Sequence, residues 1–206
     1  MNPATTNMPK ALSNFLLPTL ISLCSFSAMD AWSQPETPSA IHEIHVKLTT
    51  SEGDIVLALE PEKAPKTVAN FVQYVKEGNY NGTVFHRVIN GFMIQGGGYT
   101  SNLKEKPTHA PIPLETSSGL KNERGTIAMA RTMSPNSATN QFFINVADNA
   151  NLDSSRPNAN GYAVFGHVIS GMEVVDKIKA VPTNNRGIFH DVPVSPVVIT
   201  SVNLID

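Results

Sequence analysis

Tyr80-Asn81-Gly82-Thr83-Val84-Phe85-His86-Arg87-Val88-Ile89-Asn90-Gly91-Phe92-Met93-Ile94-Gln95-Gly96-Gly97-Gly98 is the stretch on which the reading of this chain turns. It holds two apolar runs, Thr83–Ile89 and Phe92–Gln95, each entered through an Asn-Gly pair, the strongest short-range signal for a tight turn. The pattern predicts two short strands, with Gly96–Gly98 as a tight bend after them. Strands that only filled a core would have no use for Arg87 inside an apolar run, because a buried guanidinium needs partners and is seldom kept for packing. Arg87 is therefore expected on the floor of a binding groove, with Gln95 and Gln141 available to orient it.

Outward from this stretch, alternation continues on both sides. Before it, Ile41–Thr50 places Ile44, Val46 and Leu48 on one face, Ser51–Asp54 has turn chemistry, and Ile55–Leu59 returns as an antiparallel partner. In Lys66–Glu77 the apolar residues Val68, Phe71, Val72 and Val75 recur at helical spacing. Pro65 is tolerated in the first turn of that helix and Gly78 stops it. After it, Tyr99–Asn122 reads as irregular, with Ile112 and Leu114 as a short strand inside it. Gly125–Arg131, Gln141–Val146 and Tyr162–Ile169 read as strands, Met172–Ala180 as a second amphipathic helix, and Val192–Leu204 as a closing strand. Many short strands with only two helices argue for a β-barrel or a β-sandwich.

The chain has 206 residues, 41% hydrophobic and 16% charged, enough to bury one substantial core. A formal charge of −2, with no long run of like charges, argues against a nucleic-acid partner. At the N-terminus a polar segment ending in Lys10 leads into the apolar Ala11–Ala28, and small residues follow around Ala31-Trp32-Ser33. That order predicts a cleavable secretory signal over residues 1–33, a flexible lead-in over 34–40, and a single folded domain over 41–206. Cys24 is the only cysteine and falls in the signal, so export would carry no risk of mispaired thiols. After cleavage no stable membrane association is expected, and the expected compartment is the periplasm.

Several blander or sharper chemistries are set aside. His42 and His45 sit three apart on a strand, point to opposite faces and have no cysteine or acidic cluster to complete a metal site. Gly96-Gly97-Gly98 is followed by no Gly-Lys-Ser/Thr. No strained Gly-x-Ser-x-Gly turn is present, and the mature chain has no thiol nucleophile, so hydrolase chemistry is unsupported. Neither a metal nor a cofactor is expected. What remains is Arg87 with apolar neighbours: Phe85, Phe92, Met93, Phe142 and Phe143.

The segments Phe85-His86-Arg87-Val88-Ile89, Gly91-Phe92-Met93-Ile94-Gln95-Gly96-Gly97, Ala128-Met129-Ala130-Arg131 and Ser137-Ala138-Thr139-Asn140-Gln141-Phe142-Phe143-Ile144 together resemble the cyclophilin-type peptidyl-prolyl isomerases, of the bacterial exported kind. Tyr162-Ala163-Val164-Phe165-Gly166 and the helix after Gly171 extend the resemblance over essentially residues 41–206. It implies a mainly β fold, a closed eight-stranded antiparallel barrel capped by two helices. It implies Arg87 as the catalytic residue and a proline pocket of Phe92, Met93, Phe143 and Leu152. Gln95 and the backbone of Arg131 would hold the peptide, Ala130 and Gln141 would line a neighbouring pocket, and Tyr162 and His86 would lie beside the groove. The implied partners are proline-containing polypeptides and unfolded exported proteins. The alternative is a docking module for proline segments in which turnover is incidental. Asn151 stands where many family members carry a tryptophan, and Tyr162 where they carry a histidine. Cyclosporin-type macrocycles are accordingly expected to bind weakly.

Overall fold

The structure is a computed structural model and describes residues 43–154 and 160–206. The expected export signal, Cys24, the lead-in and His42 lie outside the described residues. The element order is β1 (Ile44–Thr50), β2 (Gly53–Leu59), α1 (Pro65–Lys76), β3 (Thr83–Ile89), β4 (Met93–Thr100), β5 (Thr126–Met129), β6 (Phe142–Asn145), a 3₁₀ turn (Ala150–Leu152), β7 (Val164–Ser170), α2 (Met172–Lys179), β8 (Thr183–Arg186), β9 (Phe189–Pro193) and β10 (Val198–Ile205). Eight of the strands close into an antiparallel barrel in the order β1-β10-β3-β4-β6-β5-β7-β2, which leaves no open edge, while β8 and β9 form a separate hairpin.

Alternation along each strand sends one set of side chains into the barrel. Val88, Ile94, Ile144 and Ile127 form a directly registered row across β3, β4, β6 and β5, and all four belong to the interior core. α1 inserts Phe71 among the interior rings, 5.6 Å from Phe142 in an edge-on arrangement and 5.2 Å from Phe165. Each fully buried side chain of this kind contributes roughly 1.5–3 kcal/mol. α2 adds Val174, Val175 and Ile178 to the same core.

α1 begins without a side-chain cap of its own, since Ala64 precedes Pro65 and Lys66. The cap comes from far along the chain. Glu115 accepts the backbone N–H of Lys66 at 3.1 Å and of Thr67 at 2.7 Å, and the Thr67 hydroxyl at 2.7 Å. A carboxylate there satisfies orphan donors and faces the positive end of the helix dipole.

Three sequence expectations are corrected. Gly96–Gly98 is no bend after the strand: β4 runs through it to Thr100. The glycines are there because β4 passes hard against β6. A Cβ on Gly97, whose φ is +89°, would stand 2.8 Å from Phe142 Cε1, and one on Gly98 would stand 2.5 Å from Gln141 Cγ. The single closing strand expected over Val192–Leu204 is two strands, β9 and β10, because pairing stops after Pro193 and Pro196, with no N–H to donate, lies in the gap before Val198. Ile112 makes one isolated bridge, to Ala138, instead of a strand shared with Leu114.

Candidate active site

The site lies on the outer wall of the barrel, and a register shift puts it there. Phe85 is opposite Gly96 while Arg87 is opposite Gln95, so β3 takes two steps where β4 takes one. His86 is the extra residue. Strict alternation from Phe85, which packs inside, would turn Arg87 into the core as well. The bulge reverses the facing of every later residue in the strand. Val88 therefore points in, and Arg87 and Ile89 point out.

Outside, a second row of side chains crosses the wall in register: Arg87 opposite Gln95, Gln95 opposite Phe143, Phe143 opposite Ala128. Beneath it Met93, Ala128, Phe143 and Val164 form a small buried cluster separate from the interior core, with Phe92, Leu152 and Tyr162 packed partly buried around it. A pocket of about 190 Å³ opens above, lined by Arg87, Phe92, Met93, Gln95, Ala130, Arg131, Phe143, Leu152 and Tyr162. Nine of the eleven expected site residues thus meet around one depression. Gln141 lines the adjoining depression with Gln95, Ala130 and Arg131, and accepts a hydrogen bond from Gln95 Nε2 at 3.0 Å.

Loops build the rest of the wall. Phe143 meets the Tyr162 ring edge-on at 5.5 Å, and the Tyr162 backbone N–H donates to the Leu152 carbonyl at 3.0 Å. The Arg131 guanidinium lies 4.6 Å over the Tyr162 ring while its Nε donates to Gly161 O at 2.9 Å and its Nη1 to Thr132 O at 2.8 Å. The Arg131 side chain is thus a brace for the aromatic wall. Behind Phe92 runs a buried amide network. Asn149 Nδ2 donates to Phe92 O at 2.8 Å and to Asn145 Oδ1 at 2.7 Å, and Asn145 Nδ2 donates to Thr126 Oγ1 at 2.9 Å. Asn122 joins by accepting from Asn145 Nδ2 at 3.2 Å and ties in Asp153, whose Oδ1 accepts the Asn122 backbone N–H at 2.8 Å and its Nδ2 at 2.9 Å. The network holds Phe92 and the turn bearing Leu152 in fixed relation. The sequence gives no sign of it, because asparagines scattered over two loops and the end of β6 carry no spacing signal.

Three site expectations change. Arg87 is half-buried, its side chain 43% exposed, so it stands at the rim of the groove instead of on its floor. Its charged neighbour is Asp191, Oδ2 3.8 Å from Nε, and not the paired glutamines. His86 does not line the groove. It is 5% exposed, with its ring 4.7 Å from Tyr99 at 67°. Phe85 and Phe142 likewise face the interior core.

Burial, with the Arg87 charge adding to it, lowers the His86 pKa to about 4. The folded protein then refuses a proton that the unfolded chain takes up near pH 6.5, so stability rises with pH between these values and falls as pH drops through them. Melting curves of wild type and His86→Gln are expected to diverge across that window. Wild type should lose about 2–3 kcal/mol more than the variant between pH 7.5 and 4.5. Parallel curves would refute the buried neutral imidazole.

The model of the cyclophilin-type peptidyl-prolyl cis–trans isomerase family (Pro_isomerase) matches residues 45–204. Peptidyl-prolyl cis–trans isomerase A of Dickeya dadantii is 54% identical over 187 residues, 91% of this chain and 94% of that protein. Peptidyl-prolyl cis–trans isomerase B of Escherichia coli K12 is 55% identical over 161 residues, 77% of this chain and 98% of its own length. Among solved structures, a cyclophilin-type isomerase of Cryptosporidium parvum superposes with a TM-score of 0.67 at 26% identity, covering 80% of this chain and 99% of that one. The same protein has been solved in the presence of the dipeptide Ala-Pro.

Proposed function

This chain belongs to the cyclophilin-type peptidyl-prolyl cis–trans isomerase family, and from that premise we propose that Arg87 is its catalytic residue and that it acts on X–Pro bonds of exported polypeptides. Rotation about such a bond is slow because amide resonance sets a barrier of ~18–20 kcal/mol. No bond is made or broken, so no nucleophile is needed; what is needed is a donor that favours the twisted, pyramidal prolyl nitrogen over the planar amide. A guanidinium at the rim of an apolar pocket supplies this. The pocket of Phe92, Met93, Phe143 and Leu152 anchors the ring while the carbonyl on its N-terminal side turns. A hydrogen bond from Arg87 strengthens as resonance is lost, so it stabilises the transition state above either ground state.

The observation that carries this reading is the registered outer row, which sets Arg87 and Gln95 beside Phe143 at the pocket mouth. Gln95, Gln141 and the Arg131 backbone would hold the flanking peptide, and Ala130 would admit a neighbouring side chain. Asn151, beside Leu152, offers no indole to a cyclosporin-type macrocycle, which supports weak binding of such ligands. The test is exchange of an X–Pro tetrapeptide measured alongside its binding. Acceleration at catalytic enzyme concentrations is expected. Binding without acceleration would return the docking-module alternative.

Assistance to exported proteins rests on the N-terminal segment, Lys10 followed by the apolar Ala11–Ala28. N-terminal sequencing of the protein purified from a cell envelope is expected to begin near Trp32 or Gln34, after cleavage at Ala31 or Ser33. A sequence beginning at Met1 would overturn the periplasmic assignment.

A further inference from the structure

Asp191 is one of only two non-glycine residues among those described with a left-handed backbone, at φ 58°. Aspartate tolerates that region better than most side chains, yet still at a cost, and such residues cluster where function holds them. The β8–β9 hairpin is also irregular at this point. Asn184 is opposite Val192 and Arg186 opposite Phe189, so β9 takes three steps where β8 takes two. A bulge within His190-Asp191 re-aims the carboxylate. The hairpin is anchored by its own aromatic contact, Phe189 edge-on to Tyr99 at 5.1 Å, and Tyr99 is edge-on to His86 in turn. Two bulges, one in β3 and one in β9, thus converge to bring the carboxylate within 3.8 Å of Arg87 Nε.

We propose that Asp191 is a positioning residue for Arg87. Its carboxylate draws the Nε edge of the planar guanidinium to one side and leaves the two Nη groups for the prolyl peptide. Both side chains are more than two-fifths exposed, 43% and 41%, and an ion pair in that setting adds little to stability. Its effect is on orientation, where one held edge removes rotamers that would carry the fork away from the substrate. The inference rests on the reading of Arg87 as the catalytic donor.

Asp191→Asn is the informative variant, since asparagine keeps the size and accepts the left-handed backbone while losing the charge. It is expected to lower kcat/KM for an X–Pro peptide about 3- to 10-fold, mostly through kcat, with the melting temperature unchanged. In an Arg87→Ala background the same substitution is expected to leave the residual rate unaltered. Asp191→Gly, which relieves the backbone, should hold or raise the melting temperature while losing rate to the same extent. Wild-type turnover in Asp191→Asn, or an equal loss in both backgrounds, overturns the proposal. Were Arg87→Ala itself as fast as wild type, the reading of Arg87 would fail and this inference with it. A slow Arg87→Ala beside a fast Asp191→Asn would fail only the inference.

Discussion

Replacing Arg87 with alanine is expected to remove about 2–4 kcal/mol of transition-state stabilisation, roughly a 30- to 1,000-fold fall in kcat/KM for an X–Pro peptide. The loss should fall on kcat, because the donor strengthens only as the amide twists, while the ring pocket that sets ground-state binding is left in place. Stability should move by less than about 1 kcal/mol, the range for an exposed ion pair. The bulge at His86 keeps Arg87 off the packed inner row of Val88, Ile94 and Ile144, so its truncation opens no interior cavity. Lysine at this position keeps the charge but not the planar fork and should be intermediate. Equal turnover in wild type and Arg87→Ala would remove the arginine from the mechanism.

Phe143→Ala should show the opposite kinetic pattern. Phe143 is only 4% exposed, sits opposite both Gln95 and Ala128, and supports the Tyr162 ring. Truncating a buried phenylalanine costs about 3–5 kcal/mol. The lower end is expected here because the space left opens onto the groove and admits water, which corresponds to a fall of roughly 6–12 °C in melting temperature for a domain of this size. The proline ring loses its floor in ground state and transition state alike, so KM should rise more than kcat falls. A variant with normal KM and a depressed kcat would mean that Phe143 does not seat the ring.

Much of this was legible in the sequence because the signals were local. Thr83–Ile89 carries β-branched and aromatic residues after an Asn-Gly turn, and it forms a strand with those bounds. Pro65 and Gly78 bracket a helix that ends at Lys76. The pocket residues Met93 and Phe143 fall on adjacent strands of one sheet wall, with Phe92 in the turn that leads into the first of them, so a motif along the chain becomes a cluster in space. What escaped was set by register or by distance. The bulge at His86 leaves no trace in composition, since one extra residue alters facing and not hydrophobicity. Asp191 lies far along the chain from Arg87, in a hairpin whose β8 is polar and exposed throughout and so lacks apolar alternation. Glu115 caps α1 from inside a segment that reads only as irregular. The meaning of the triple glycine escapes for a related reason: it lies in the side chains of Phe142, at the start of β6, and of Gln141 just before it, which press on the glycines from across the sheet.

The last strand, β10, is wedged between β1 and β3, pairing with β1 from His45–Ile205 to Thr50–Ile199 and with β3 at Val84 and Thr83. The first strand among the described residues therefore waits for the last before it gains a neighbour on that side, and the barrel stays open between β1 and β3, the strand bearing Arg87, until then. Closure of so long a loop has to precede the contacts that reward it, which slows folding and leaves strand edges exposed in the meantime. This prolyl isomerase is in this respect a late folder: a nascent chain lacking its final residues would carry every group of the proposed site and have no closed barrel to hold them.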